Sequence, residues 1–167
     1  MSILFNADEI FTIAERIEEN GASFYRRAAE NLMEPDVSRL LIELAVKEDE
    51  HREVFASMRR NLAKSGAVMV VDPDNDLLAD YLNAWADINV FREENDPLQT
   101  LTGDETVEDI LRMAIDAEKD SIVFYLGMKE TLPGSPDRSK VDRIIWEEMS
   151  HYATLSTQLA EREREVN

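Results

Sequence analysis

An all-α fold, with four long helices arranged as two antiparallel hairpins and one long crossover between them, is what this sequence predicts. Three observations predict it. Helix formers dominate, and the 167 residues include only five Gly and five Pro, with few β-branched runs. Apolar residues recur at alternating spacings of four and three, as at Val37, Leu41, Leu44, Phe55 and Met58, which is the seam of a helix packed in a bundle. The turn signals form two short breaks and one long connection. The length suits one domain with a substantial core. Residues 1–167 therefore divide into hairpin one at 6–64, a crossover at 65–101 and hairpin two at 102–164.

The first helix opens at Asn6, with Glu9 three residues on as in a capping box. Its stripe is Ala14, Glu18, Gly21, Tyr25, Ala28 and Leu32. The segment "NLMEPD" ends it, and the second helix runs to about Lys64. A structureless loop over the whole crossover would be out of scale for a packed domain. Within it "VMVVDPDND" reads as extended, while Leu77, Leu78, Tyr81, Leu82, Trp85 and Ile88 keep helical spacing. An additional short helix is expected there, with Tyr81 and Trp85 capping the bundle or filling a dimer interface. The third long helix starts after "TGDE", with Thr102 as N-cap and Glu105 as its box partner, and carries Leu111, Ala114, Glu118, Ser121, Tyr125, Met128 and Leu132. After the break "LPGSPD", Ser135 and Pro136 fit the N-cap and first position of the fourth. That helix carries Val141, Ile144, Glu148, His151, Leu155 and Leu159.

The formal net charge of −18 argues against nucleic acid and anionic membranes as partners, because both need a basic face. With no cysteine, disulfides, thiolate chemistry and Cys-ligated clusters are excluded. The apolar run in "MSILFNADEIF" is too short for a signal peptide or a membrane span, so a cytoplasmic location is expected.

The seams carry the chemistry. Glu48 and His51 occupy the second helix's stripe where Leu would pack without desolvation cost, and Glu148 and His151 do the same in the fourth. Residues 1–67 and 101–167 align at an offset of 100: Glu18 meets Glu118, Phe24–Tyr25 meets Phe124–Tyr125, Glu48 meets Glu148 and His51 meets His151. An internal duplication is the simplest explanation. Glu18 and Glu48 both lie ~20–24 Å from the first turn at ~1.5 Å per residue, and the second hairpin repeats the arithmetic. Four carboxylates and two imidazoles thus converge on one layer. A buried ion-pair network is the bland alternative, disfavoured because residues of opposite sign are missing from the seam. A pair of divalent cations removes the cost of burying four glutamates. For Tyr25 and Tyr125, two turns after the seam glutamates, plain core packing is preferred to a redox or hydrogen-bonding role. Glu147, Asp49 and Glu50 point ~100° or more off the seam and read as solvated.

The set Glu18, Glu48-x-x-His51, Glu118, Glu148-x-x-His151 resembles the di-iron carboxylate site of the ferritin-like superfamily. "ERIEENGASFYRRAAE" and "LAVKEDEHREVF" look most like its rubrerythrin branch. The resemblance implies a ferritin-like four-helix bundle with two iron ions, for which manganese or zinc could substitute. It implies that Glu48 and Glu148 bridge, that Glu18 and Glu118 are terminal, and that His51 and His151 bind one iron each. Tyr25 and Tyr125 would stand behind these ligands. Rubrerythrins proper have a four-cysteine rubredoxin-type domain, and tend to have an extra glutamate where this chain has Ser121. The ligand set is therefore closer to the bacterioferritin type, and electrons would come from a separate donor. The resemblance implies reduction of hydrogen peroxide or dioxygen. The alternatives are a ferroxidase or iron-handling protein with ferrous iron as substrate, and a non-catalytic metal-binding bundle. A homodimer or larger homo-oligomer is expected.

Overall fold

The computed structural model describes residues 7–65, 76–89, 101–132 and 135–165. Among them are five helices and no strand: α1 (Ala7–Asn31), α2 (Pro35–Ser65), α3 (Asp76–Asn89), α4 (Val107–Glu130) and α5 (Asp137–Glu165). The hairpins α1–α2 and α4–α5 meet along α1 with α4 and along α2 with α5, and α3 lies against α4. The result is a four-helix bundle with an extra helix in the crossover. No helix of the described residues is long and apolar enough to cross a membrane. The expected cap Asn6, the extended stretch before Asp76 and the Pro133–Gly134 turn lie outside the described residues.

Local chemistry sets the helix ends. Pro35 opens α2 where its missing N–H costs nothing, and the Ser38 amide donates to the Glu34 carbonyl at 2.9 Å. At α5 the Asp137 amide donates to the Ser135 hydroxyl at 3.1 Å, as expected of an N-cap serine. The start of α4 corrects the sequence reading. Its N-cap is Thr106, not Thr102, and its capping-box partner is Asp109, not Glu105. Two Thr-x-x-acid patterns overlap here. Gly103 sits at φ 95°, outside any helical conformation, so the helix cannot begin at the first. Thr102 and Glu105 do bond each other, at 2.6 Å through the amide and 2.8 Å through the hydroxyl. They close the turn that leads into the helix.

The core is in two parts. One holds Ile10, Phe11, Phe55, Met58, Phe124, Val141 and Ile144. The other holds Phe24, Val37, Leu41, Leu44, Ile110, Leu111 and Leu155. Side chains of this size each contribute about 1.5–3 kcal/mol when fully buried. All four long helices contribute to both parts, so the apolar seam, not any bound ion, holds the bundle together. At one end Arg162 of α5 donates to Glu34 at 2.7 Å and to Glu108 at 2.7 Å, tying the first hairpin's turn to the first turn of α4.

Docking of α3 depends on one glycine. Leu82 is fully buried, the Trp85 ring lies 4.7 Å from Phe124, and the Tyr81 hydroxyl donates to the Val123 carbonyl. A Cβ on Gly127 would meet Tyr81 Cε1 at 2.4 Å. Gly127→Ala should therefore displace α3, costing about 1–3 kcal/mol as overpacking does. The emission of Trp85 should shift to the red, and adding Tyr81→Ala should restore it. An unchanged spectrum and melting temperature would refute this account of the contact.

Candidate metal centre

Between the two parts of the core lies a polar layer. Glu18 of α1, Glu48 and His51 of α2, Glu118 of α4, and Glu148 and His151 of α5 are all buried. Their donor atoms form two overlapping groups: Glu18, Glu48, His51 and Glu148, then Glu48, Glu118, Glu148 and His151. Within each group the atoms lie within 4.8 Å of one another. Glu48 and Glu148 belong to both groups, the arrangement expected of carboxylates shared by two ions. The imidazoles stack at 5.8 Å, and both turn Nδ1 inward. Nδ1 of His51 lies 2.7 Å from Glu148 Oε1 and 3.7 Å from Glu18 Oε2. Nδ1 of His151 lies 3.2 Å from Glu148 Oε2, 3.5 Å from Glu48 Oε1 and 3.6 Å from Glu118 Oε1. Glu148 thus straddles the layer, one oxygen toward each ring.

The donors are held from behind. The Tyr25 hydroxyl donates to Glu118 and the Tyr125 hydroxyl to Glu18, each phenol reaching from one hairpin to a glutamate of the other. The tyrosines do more than pack. Burial and the facing glutamates push both phenols well above their usual range, so they keep their protons. Ser121 turns away, its hydroxyl donating to the Ala117 carbonyl at 3.1 Å. Gly21 leaves space for Glu48, since a Cβ there would stand 3.2 Å from Oε2.

Glu147 was expected to be solvated, and here the structure differs. Its Oε2 lies 2.8 Å from His51 Nε2, and its other oxygen accepts from Arg143 Nε at 2.8 Å. Being off the seam of α5 does not put this side chain in water, because α2 packs along that edge. The periodicity of one helix contains no signal for this. Asp49 and Glu50 are the off-seam acids that pair on the surface, with Arg26 and Lys47 respectively.

Without a metal, the histidines supply the positive charge that the seam was expected to lack. Burial opposes a charged ring, yet contacts with Glu148 and Glu18 push His51 up to about 11. His151, beside Glu118, Glu148 and Glu48, is pushed up to about 12. Burial and the Glu148 charge raise Glu118 to about 8, and burial with the Glu48 and Glu148 charges raises Glu18 well above the carboxylate range. Burial and Glu48 also push against ionised Glu148, but contacts from His151 and His51 outweigh them and hold it low.

Even so, four inward-facing donors have no aligned hydrogen bond among the described residues: Glu18 Oε2, Glu48 Oε1, His51 Nδ1 and Glu148 Oε1. Buried polar atoms without aligned partners are costly, and cations between these four would satisfy them all. Mixed carboxylate and imidazole donors suit iron, manganese or zinc. The layer therefore fits a metal centre.

The comparisons with known proteins agree with this geometry. The rubrerythrin family model matches residues 9–159. A crystal structure from Thermotoga maritima, described as that of a ferritin-like diiron-carboxylate protein, superposes with a TM-score of 0.68 at 26% identity, over 95% of this chain and 97% of that one. Among curated proteins nothing matches.

Proposed function

The chain belongs to the rubrerythrin family, and on that premise we propose that the buried layer holds two iron ions and reduces hydrogen peroxide or dioxygen with electrons from a separate donor. The observation that carries the reading is the pair of overlapping donor groups sharing Glu48 and Glu148. Glu18 and His51 would complete one position, and Glu118 and His151 the other. When bound, two ferrous ions supply the two electrons and the Lewis acidity needed to convert one peroxide and two protons into two waters.

The protein's part is to hold this set of donors and keep it dry. Tyr25 and Tyr125 each fix one oxygen of a terminal glutamate; at Glu18 the other oxygen is left to face inward, while at Glu118 the oxygen that Tyr25 holds is also the one nearest His151. Phe55 against Tyr125 and Phe24 against Tyr25 wall the layer from water. Removing either hydroxyl, in Tyr25→Phe or Tyr125→Phe, should weaken metal binding or turnover by about 10-fold, the lower end for a lost partner behind a ligand. An unchanged rate and affinity in both variants would leave the phenols with packing alone.

The deciding experiment loads metal-free protein with two equivalents of ferrous iron under nitrogen, then mixes it with peroxide or air in a stopped-flow instrument. The expected result is rapid oxidation, with iron retained through gel filtration and oxidisable again after reduction. Iron that leaves, or accumulates as mineral, would make this a ferroxidase. No oxidation by either reagent would leave a structural metal site.

A further inference from the structure

We infer that the two metal positions are unequal, and that Glu147 makes the position at His51 the tighter one. This rests on the two-metal reading above.

The observation is a contrast at the backs of the two imidazoles. His51 Nε2–H donates to Glu147 at 2.8 Å, and Arg143 holds the other oxygen of that carboxylate at 2.8 Å. With Nε2–H held by Glu147, the proton that a metal displaces is the one on Nδ1, and the ring is fixed in one orientation from behind. Arg143 is itself exposed, but Glu147 is only 29% so, and its place between the guanidinium and the ring is set by both. The residue offset from Glu147 by 100 positions is Lys47. An ammonium has no acceptor, and its Nζ pairs with Glu50 at 2.6 Å. Among the described residues, the carboxylates that reach His151 do so at Nδ1, from the metal side. Among the described residues no carboxylate stands behind His151 to match Glu147, so its ring is oriented only from the metal side, by the same carboxylates that a bound metal would engage. One position is held from behind as well as from the metal side, and the other from the metal side alone.

Glu147 is thus a positioning residue, acting through His51. A carboxylate behind a ligating histidine is typically worth about 10–100-fold in metal affinity. Cobalt(II) titration of the metal-free chain, followed by calorimetry and visible absorption, reads each ion separately. Wild type should bind two ions in two steps separated by about tenfold or more. Glu147→Ala should weaken the first step by about 10–100-fold, change the absorption of the first equivalent and leave the second step in place, so that the steps merge. Glu147→Gln retains an acceptor without the charge and should fall between. His151→Ala, which leaves Glu147 untouched, should keep the tight ion and lose the weak one, whereas His51→Ala should lose the tight one. Equal steps in wild type, or a Glu147→Ala titration that superposes on wild type or weakens both steps alike, would overturn the assignment. Failure of wild type to bind two ions would instead remove the two-metal reading beneath it.

Discussion

Manganese(II) in excess should raise the thermal midpoint of the metal-free protein by about 16–32 °C, and a chelator should reverse the change. Each saturated site adds about 4 kcal/mol at a thousandfold excess over its dissociation constant. For a chain of this size each kcal/mol shifts the midpoint by about 2–4 °C. The gain arises because cations satisfy inward-facing atoms that otherwise lack aligned hydrogen bonds and crowd like charges together. Glu148→Ala removes a carboxylate common to both groups and should abolish most of the shift. Calorimetry of both proteins with and without metal checks it. A wild-type shift of only a degree or two, or an undiminished shift in the variant, would mean that metal binds elsewhere on this acidic surface.

Stability of the metal-free form should fall as pH rises from about 5 to 9. The folded chain holds protons that the unfolded chain releases. Glu118 moves from an ordinary 4.5 up to about 8, so its contribution is full below 4.5 and is lost as pH climbs through 8. His51 and His151 move from 6.5 up to about 11 and about 12, so theirs begins to fade above 6.5 and is lost through those higher values. Glu148, held low, acts in the opposite sense, and its contribution is lost only in acid. Over the stated window the raised groups win, and the midpoint should drop on the order of 10 °C. Metal loading displaces the same protons, so the loaded protein should show a flat or rising profile. A metal-free midpoint that is flat or climbs with pH would contradict the protonation pattern of the layer.

The helices and the six donors were legible because both are periodic. The seam from Val37 to Met58 marks α2 as well as the places where Glu48 and His51 interrupt it, and the offset of 100 supplies their counterparts. What escaped was set by neighbours in space. Thr102 and Thr106 have the same capping pattern, and only the backbone at Gly103 decides between them. Glu147 is invisible to a one-helix argument, since its partner is 96 residues away on α2. Opposite charge seemed absent from the seam because the histidines were counted as ligands, whereas without metal they serve as cations. The phenols of Tyr25 and Tyr125 reach across hairpins to glutamates that no local spacing connects them with.

The split core has a consequence for how the chain opens. Its two apolar parts lie on the same four helices, one on either side of the polar layer. With metal, the layer couples them and the bundle should open as one unit. Without metal, the ends share continuous backbone and a set of proton-dependent contacts, and each should acquire its own opening free energy. Amide hydrogen exchange would then show two cooperative blocks along every long helix, with the boundary near Glu18, Glu48, Glu118 and Glu148. Adding metal would fuse them, making the ions a clutch between two halves of one molecule.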